Sequence, residues 1–164
     1  MVLVDTSSWI HFLRPDGDLV VRARVEAVLR AGTARWCPLV RLELWNGAAG
    51  DREKKVLREF ERLVPELAIT PEVWEDACEL ARRCRVAGIT VPASDVLIDA
   101  CARRHGAALE QADSDFDRIA KVAPHAAEEQ DLGACARRHS PSHFRLRFSA
   151  GCLRVRARVA SLGP

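Results

Sequence analysis

The opening segment Val2-Leu3-Val4-Asp5-Thr6-Ser7-Ser8 restricts the fold of this chain more than any other stretch. Three consecutive apolar residues make a strand too short to span a membrane and suited to the middle of a parallel sheet. Asp5 closes the strand, and Thr6, Ser7 and Ser8 are residues that begin helices. A carboxylate is therefore expected at the carboxyl edge of a sheet, where open α/β folds place their ligands. Burying a lone charge there is costly unless a cation or a donor compensates it.

The pattern downstream alternates short apolar runs with helical periodicity. Spacing predicts helices over residues 7–13, 19–31, 40–49, 52–63, 71–87, 93–105 and 116–122, with Asp51 capping the fourth. Gly32, Gly88 and Gly106 are their stop signals. Further strands are expected over 34–37, 67–69 and 107–110. Val56, Leu57, Phe60 and Leu63 are expected to face inward, and Trp9, Trp36, Trp45 and Trp74 to be mostly core. One of these tryptophans is a candidate to stack on a base. Strands separated by helices imply a parallel sheet in an α/β/α three-layer sandwich.

Charge divides the chain. From Ala134 onward there are seven arginines and no acidic residue, which leaves 18 Lys+Arg against 23 Asp+Glu before it, a net of −5. Residues 1–125 are thus expected to form an acidic domain. Residues 126–164 form a basic tail, either a solvated extension or a hairpin around Ser149-Ala150-Gly151. An acidic body argues against simple electrostatic coating of DNA. No apolar run approaches the roughly 18 residues of a membrane helix. No basic leader precedes the apolar start, so a cytoplasmic protein is expected. The six cysteines form no Cys-x-x-Cys pair, which suits reduced, mostly buried thiols rather than a disulfide framework.

Five carboxylates fall beside residues that must be buried: Asp5 after the first strand, Glu43 in a helix, Asp95 in a first helical turn, and Asp113 and Asp115 past the last strand. Converging like charges would raise one another's pKa. A hard divalent cation with oxygen ligands, Mg²⁺ or Mn²⁺, removes that conflict, and it can activate water for attack on a phosphodiester. Structural roles compete for each acid. Asp95 suits a helix start, Glu43 could pair with Arg41 or Arg52, and Asp115 could cap the following helix. For Asp5 a capping role needs no full carboxylate, since Thr6 or Ser7 would serve.

The ordered set Val-Asp-Thr-Ser, Arg-Leu-Glu-Leu, Ser-Asp-Val-Leu-Ile-Asp-Ala-Cys-Ala and Asp-Ser-Asp-Phe-Asp-Arg-Ile-Ala resembles the PIN-domain ribonucleases, more narrowly the VapC-type toxins of bacterial toxin–antitoxin pairs. The resemblance covers roughly residues 1–122. It implies a PIN-like sandwich and a Mg²⁺-dependent endoribonuclease, usually a homodimer, held inactive by a VapB-type antitoxin. Carried across by position, Asp5, Glu43, Asp95 and Asp113 would be catalytic. Asp5, Asp95 and Asp113 would hold the metal, with Asp115 close enough to share that role. Thr6, Ser7 and Asp99 would orient those ligands, and Arg41, Arg82, Arg83 and Arg85 are candidates for phosphate contacts. The chain departs from the family in ending its last motif with Lys121-Val122-Ala123-Pro124-His125 rather than an apolar strand.

Three other readings compete. An aspartyl-nucleophile phosphohydrolase would want two aspartates one residue apart straight after the first strand, where Thr6 and Ser7 stand instead. A non-catalytic RNA- or protein-binding module on the same fold is the second. The third is a zinc site at Cys135, His139 and His143, which Pro141 interrupts and which lacks a fourth ligand.

Overall fold

The computed structural model describes residues 1–123. The basic tail, its hairpin and the Cys135, His139 and His143 trio fall outside the described residues. Ten elements follow in order: β1 (Val2–Val4), α1 (Thr6–Leu13), α2 (Leu19–Arg30), β2 (Ala34–Arg35), α3 (Pro38–Gly47), α4 (Asp51–Leu63), α5 (Pro71–Val86), α6 (Ala93–Arg104), β3 (Ala108–Glu110) and α7 (Ser114–Ala120).

The strands form one parallel sheet in the order β2-β1-β3, so the first strand lies at its centre. Val2 and Leu3 pair with Ala34 and Arg35 on one side, while Val2, Leu3 and Val4 pair with Ala108, Leu109 and Glu110 on the other. Leu3 and Val4 are fully buried, each side chain contributing about 1.5–3 kcal/mol by removal from water. Parallel neighbours need long crossovers, which α1–α2 and α3–α6 supply. This is the α/β architecture expected, with a shorter sheet.

Two strand expectations need correction. The second strand stops at Arg35, because Cys37 already has the extended conformation of a helix N-cap and Pro38 opens α3. Residues 67–69 form no strand. Only a parallel bridge between Trp36 and Glu66 exists there. Pro65 has no N–H to donate, and the Ala68 carbonyl is 2.8 Å from His105 Nε2, outside any ladder.

The helices keep to their expected places, with three side-chain corrections. Gly50, not Asp51, caps α4, and the Glu53 carboxylate accepts the amides of Ala49 and Gly50 at 2.8 and 3.2 Å. The inward stripe of α4 and its exit runs Leu57, Phe60, Val64, which leaves Leu63 51% exposed. Trp74 is 55% exposed because the buried stripe of α5 is Val73, Ala77, Leu80 and Cys84, one position out of phase with it. Gly88 and Gly106 adopt φ of 73° and 59° and end α5 and α6, a conformation that glycine reaches at least cost.

Trp9 anchors α1. Its ring meets Phe60 at 5.0 Å, Phe12 at 6.1 Å and Trp36 at 6.2 Å between centroids, and such pairs add about 0.5–1.5 kcal/mol each beyond burial. Cys37 at the start of α3 and Cys101 on α6 are both buried and free, and the Cys101 thiol donates to the Ala68 carbonyl at 3.9 Å. Cys84 is also buried and free, and Cys78 is exposed. No helix among the described residues is long and apolar enough to cross a membrane.

The turn between α1 and α2 gives a first prediction. A Cβ at Gly17 would stand 1.8 Å from the His11 carbonyl oxygen, a backbone atom that cannot rotate away. Gly17→Ala is expected to destabilise the chain by about 1–3 kcal/mol, the usual cost of overpacking. A urea titration checks this through a lower midpoint at unchanged slope.

Candidate metal centre

Asp5 follows β1 and its carboxylate caps α1, so the expectation that Thr6 or Ser7 would serve as the cap in its place is corrected. Its Oδ2 accepts the Ser7 amide at 2.8 Å and the Ser7 hydroxyl at 2.6 Å. The residue is nevertheless 5% exposed and these partners are neutral. Burial pushes its carboxyl above the usual range, the Ser7 and Thr6 hydrogen bonds pull against that, and the charge of Asp113 adds to it.

Thr6 points its hydroxyl at Glu43 on α3, donating to Oε2 at 2.5 Å. This ties Glu43 to the residue that follows Asp5. Arg41, one of its suggested partners, pairs instead with Glu66 at 3.2 Å. On α6 the N-cap is Pro92, with no side-chain capping bond, so Asp95 is not spent on capping. Its Oδ1 accepts the Ser94 hydroxyl at 3.0 Å.

The Asp95 carboxyl is pushed up to about 6, first by burial and further by the charges of Asp5, Asp113 and Asp115, against a lowering bond from Ser94. Four carboxylates from three parts of the chain therefore share one electrostatic field. Asp113, rather than Asp115, caps α7, accepting the Asp115 amide at 3.0 Å. Asp115 itself pairs with Arg118 at 2.8 Å.

The other expected residues are placed as follows. Ser7 joins two parts of the site, because its Oγ donates to Asp5 and accepts the Ala112 amide at 3.0 Å. Asp99, buried on α6, forms an i,i+4 ion pair with Arg103 at 2.5 Å. Arg82 pairs with Glu79 at 2.6 Å, Arg83 donates to the Val122 carbonyl, and Arg85 is exposed in the last turn of α5.

Sequence reasoning passed over Glu110. It ends β3 directly beside Val4, and its backbone carbonyl accepts the Asp5 amide at 2.9 Å. Its side chain takes Ser8 at 3.3 Å and Arg24 at 2.9 Å. An acid closing a second parallel strand was the available signal, the same one that marked Asp5.

Among the described residues, no three His, Cys, Asp or Glu side chains close into a ready-made metal cage. The donors that share this field are all carboxylate oxygens, one deeply buried and one pushed up to about 6 by burial and then by its acidic neighbours. That set fits a hard cation such as Mg²⁺ or Mn²⁺, which binds through one or two carboxylates and keeps waters and substrate phosphate in its remaining positions. It does not suit zinc, which takes nitrogen and sulfur ligands in a closed tetrahedron when structural.

A short parallel sheet wrapped by helices, with acids gathered at its carboxyl edge, defines a class of α/β domains with a metal-type acidic centre. A family model for the PIN domain matches residues 2–122, and the chain belongs to that family. Within it the chain is of the VapC type. It is 33% identical over 126 residues to "VapC ribonuclease Mb1587" of Mycobacterium bovis, covering 74% of this chain and 93% of that protein. It is 30% identical to "Ribonuclease VapC18" of Mycobacterium tuberculosis, covering 73% and 87%. Among solved structures, VapBC2 from Rickettsia felis, bound to a DNA fragment from its promoter, matches in fold with a TM-score of 0.62 at 18% identity, covering 73% of this chain and 93% of that one.

Proposed function

We propose that this chain is a divalent-metal-dependent endoribonuclease, the toxin of a type II toxin–antitoxin pair. The observation that carries the reading is the shared field at Asp95, where burial first, and then the charges of Asp5, Asp113 and Asp115, raise the carboxyl to about 6. Such crowding is unfavourable in the metal-free protein and is relieved by a cation. The names of the VapC relatives support ribonuclease chemistry.

Asp5, Asp95 and Asp113 would hold the ion, with Asp115 adjoining. When bound, Mg²⁺ or Mn²⁺ supplies Lewis-acid stabilisation of charge at the scissile phosphodiester and lowers the pKa of water. Glu43, which accepts the Thr6 hydroxyl, would take the proton from the attacking water. Ser7 holds the Asp5 carboxylate in one rotamer. Arg85 would meet substrate phosphates, and Arg41, Arg82 and Arg83 are weaker candidates because Glu66, Glu79 and the Val122 carbonyl already engage them.

An acidic centre also suits inhibition by a VapB-type antitoxin that lays an Arg or Lys among the carboxylates. The fold match to the VapBC2 complex supports such a partner. A homodimer and a cytoplasmic location complete the reading, with residues 1–125 carrying the nuclease and residues 126–164 supplying the basic tail.

The test is cleavage of defined RNAs by the purified full chain with and without EDTA. Cleavage lost in EDTA and restored by excess Mg²⁺ or Mn²⁺ is the expected result. Equal cleavage in EDTA would overturn the metal dependence, and no cleavage of any RNA would overturn the activity.

A further inference from the structure

We infer that Arg24 of α2 is a positioning residue for this centre, clamping the connector from β3 to α7 that carries Asp113. This inference rests on the nuclease reading above and names a group outside the acid set.

The connector is short and holds a demanding position. Glu110, Gln111 and Ala112 must bring Asp113 into the field of Asp5 and Asp95 while that field repels it. Arg24 reaches them from α2. Its Nε lies 2.9 and 3.1 Å from the two Glu110 carboxylate oxygens, and its Nη2 donates to the Gln111 carbonyl at 3.2 Å. One guanidinium thus holds both the side chain that ends β3 and the backbone that leaves it, a fork that lysine cannot reproduce.

The rest of the connector is tied at the same place. Buried Ser8 donates to Glu110 Oε1 at 3.3 Å, and Ser7 Oγ accepts the Ala112 amide at 3.0 Å. Gln111 receives the Asp113 amide at 2.7 Å and donates to Asp117 at 2.9 Å. Arg24 brings the cation to this network. Without it, the Glu110 side chain, 14% exposed, keeps a negative charge whose ion-pair partner is gone, one hydrogen bond from the Asp5 backbone. Repulsion then acts on the segment that sets Asp113, and loss of a group that orients metal ligands lowers activity or metal affinity by about 10–100-fold.

The experiment uses the full chain. Arg24→Ala is expected to lower kcat by about 10–100-fold with the RNA KM nearly unchanged, and to raise the Mn²⁺ concentration needed for half-saturation in an EPR titration. It is also expected to speed hydrogen exchange at the Ala112 amide. Adding Glu110→Gln to Arg24→Ala removes the uncompensated charge and should restore part of both kcat and Mn²⁺ binding, which a merely structural loss would not do. Arg24→Lys should recover less than half. A variant Arg24→Ala with wild-type kcat, Mn²⁺ binding and Ala112 exchange would overturn the clamp, as would a deficit untouched by Glu110→Gln. Wild-type chain that cleaves no RNA would instead overturn the nuclease reading and, with it, the catalytic consequence of the clamp.

Discussion

Asp5→Asn should abolish most RNA cleavage, by on the order of a thousandfold or about 4 kcal/mol of transition-state stabilisation, while leaving the fold intact. The choice of asparagine matters because Asp5 has two roles. It caps α1 by accepting the Ser7 amide, and it supplies a buried charge. Asparagine caps about as well as aspartate, and it removes a charge that burial disfavours. Melting of the metal-free variant should therefore match or exceed wild type. Asp5→Ala should lose cleavage and also about 0.5–2 kcal/mol of stability through the missing cap. Parallel measurements of RNA cleavage and thermal melting separate the roles. Substantial cleavage by Asp5→Asn would remove this residue from the metal centre.

Asp95→Asn should stabilise the metal-free protein at pH 7.5 and inactivate it. The folded chain holds the Asp95 proton up to pH of about 6, whereas an unfolded chain releases it near the ordinary aspartate value of 3.8. Folding therefore takes up a proton between those values. The linked stability is fully present below the unfolded pKa and is lost as pH rises through about 6. Asp5, raised in the same direction, adds to this trend. Asp95 is only part-buried, so solvent screening reduces the gain from Asp95→Asn to about 1 kcal/mol, or roughly 2–4 °C in Tm. The variant should also flatten the change in Tm between pH 4 and 7.5.

Metal acts in the opposite direction, because it binds the ionised carboxylate. Mg²⁺ should raise the wild-type Tm at pH 7.5 more than at pH 5, and cleavage should fall as pH drops through the same window. Saturating Mg²⁺ should shift that acid limb lower. Differential scanning calorimetry at the two pH values, with and without Mg²⁺, reads each of these signs. A wild-type Tm that Mg²⁺ leaves unchanged at both would contradict a cation relieving the crowded carboxylates.

Local features were legible early and for physical reasons. Glycine stops at 32, 88 and 106 each have positive φ, because a helix end asks a question that one residue answers. The apolar run at Val2–Val4 became the central strand, since only a strand buried on both faces tolerates such continuity. Residues 67–69 misled because three apolar residues carry no period: Leu67 is buried and donates its amide to the Trp36 carbonyl at 2.8 Å, but the pairing stops at that one bridge. Trp74 misled because bulk suggests burial, while the phase of α5 turns it outward.

The sequence by itself determined which acids end strands and begin helices, and so which side chains lie at the carboxyl edge of the sheet. Strand endings and caps depend on neighbours in the chain, and that information is local. Only the tertiary structure decided that β3 lies beside β1, and this places Glu110 against Asp5, Ala112 on Ser7, and Arg24 across the connector. Those contacts span about a hundred residues of chain, and no spacing rule encodes them. They follow from sheet order and from the repulsion that the gathered carboxylates must share.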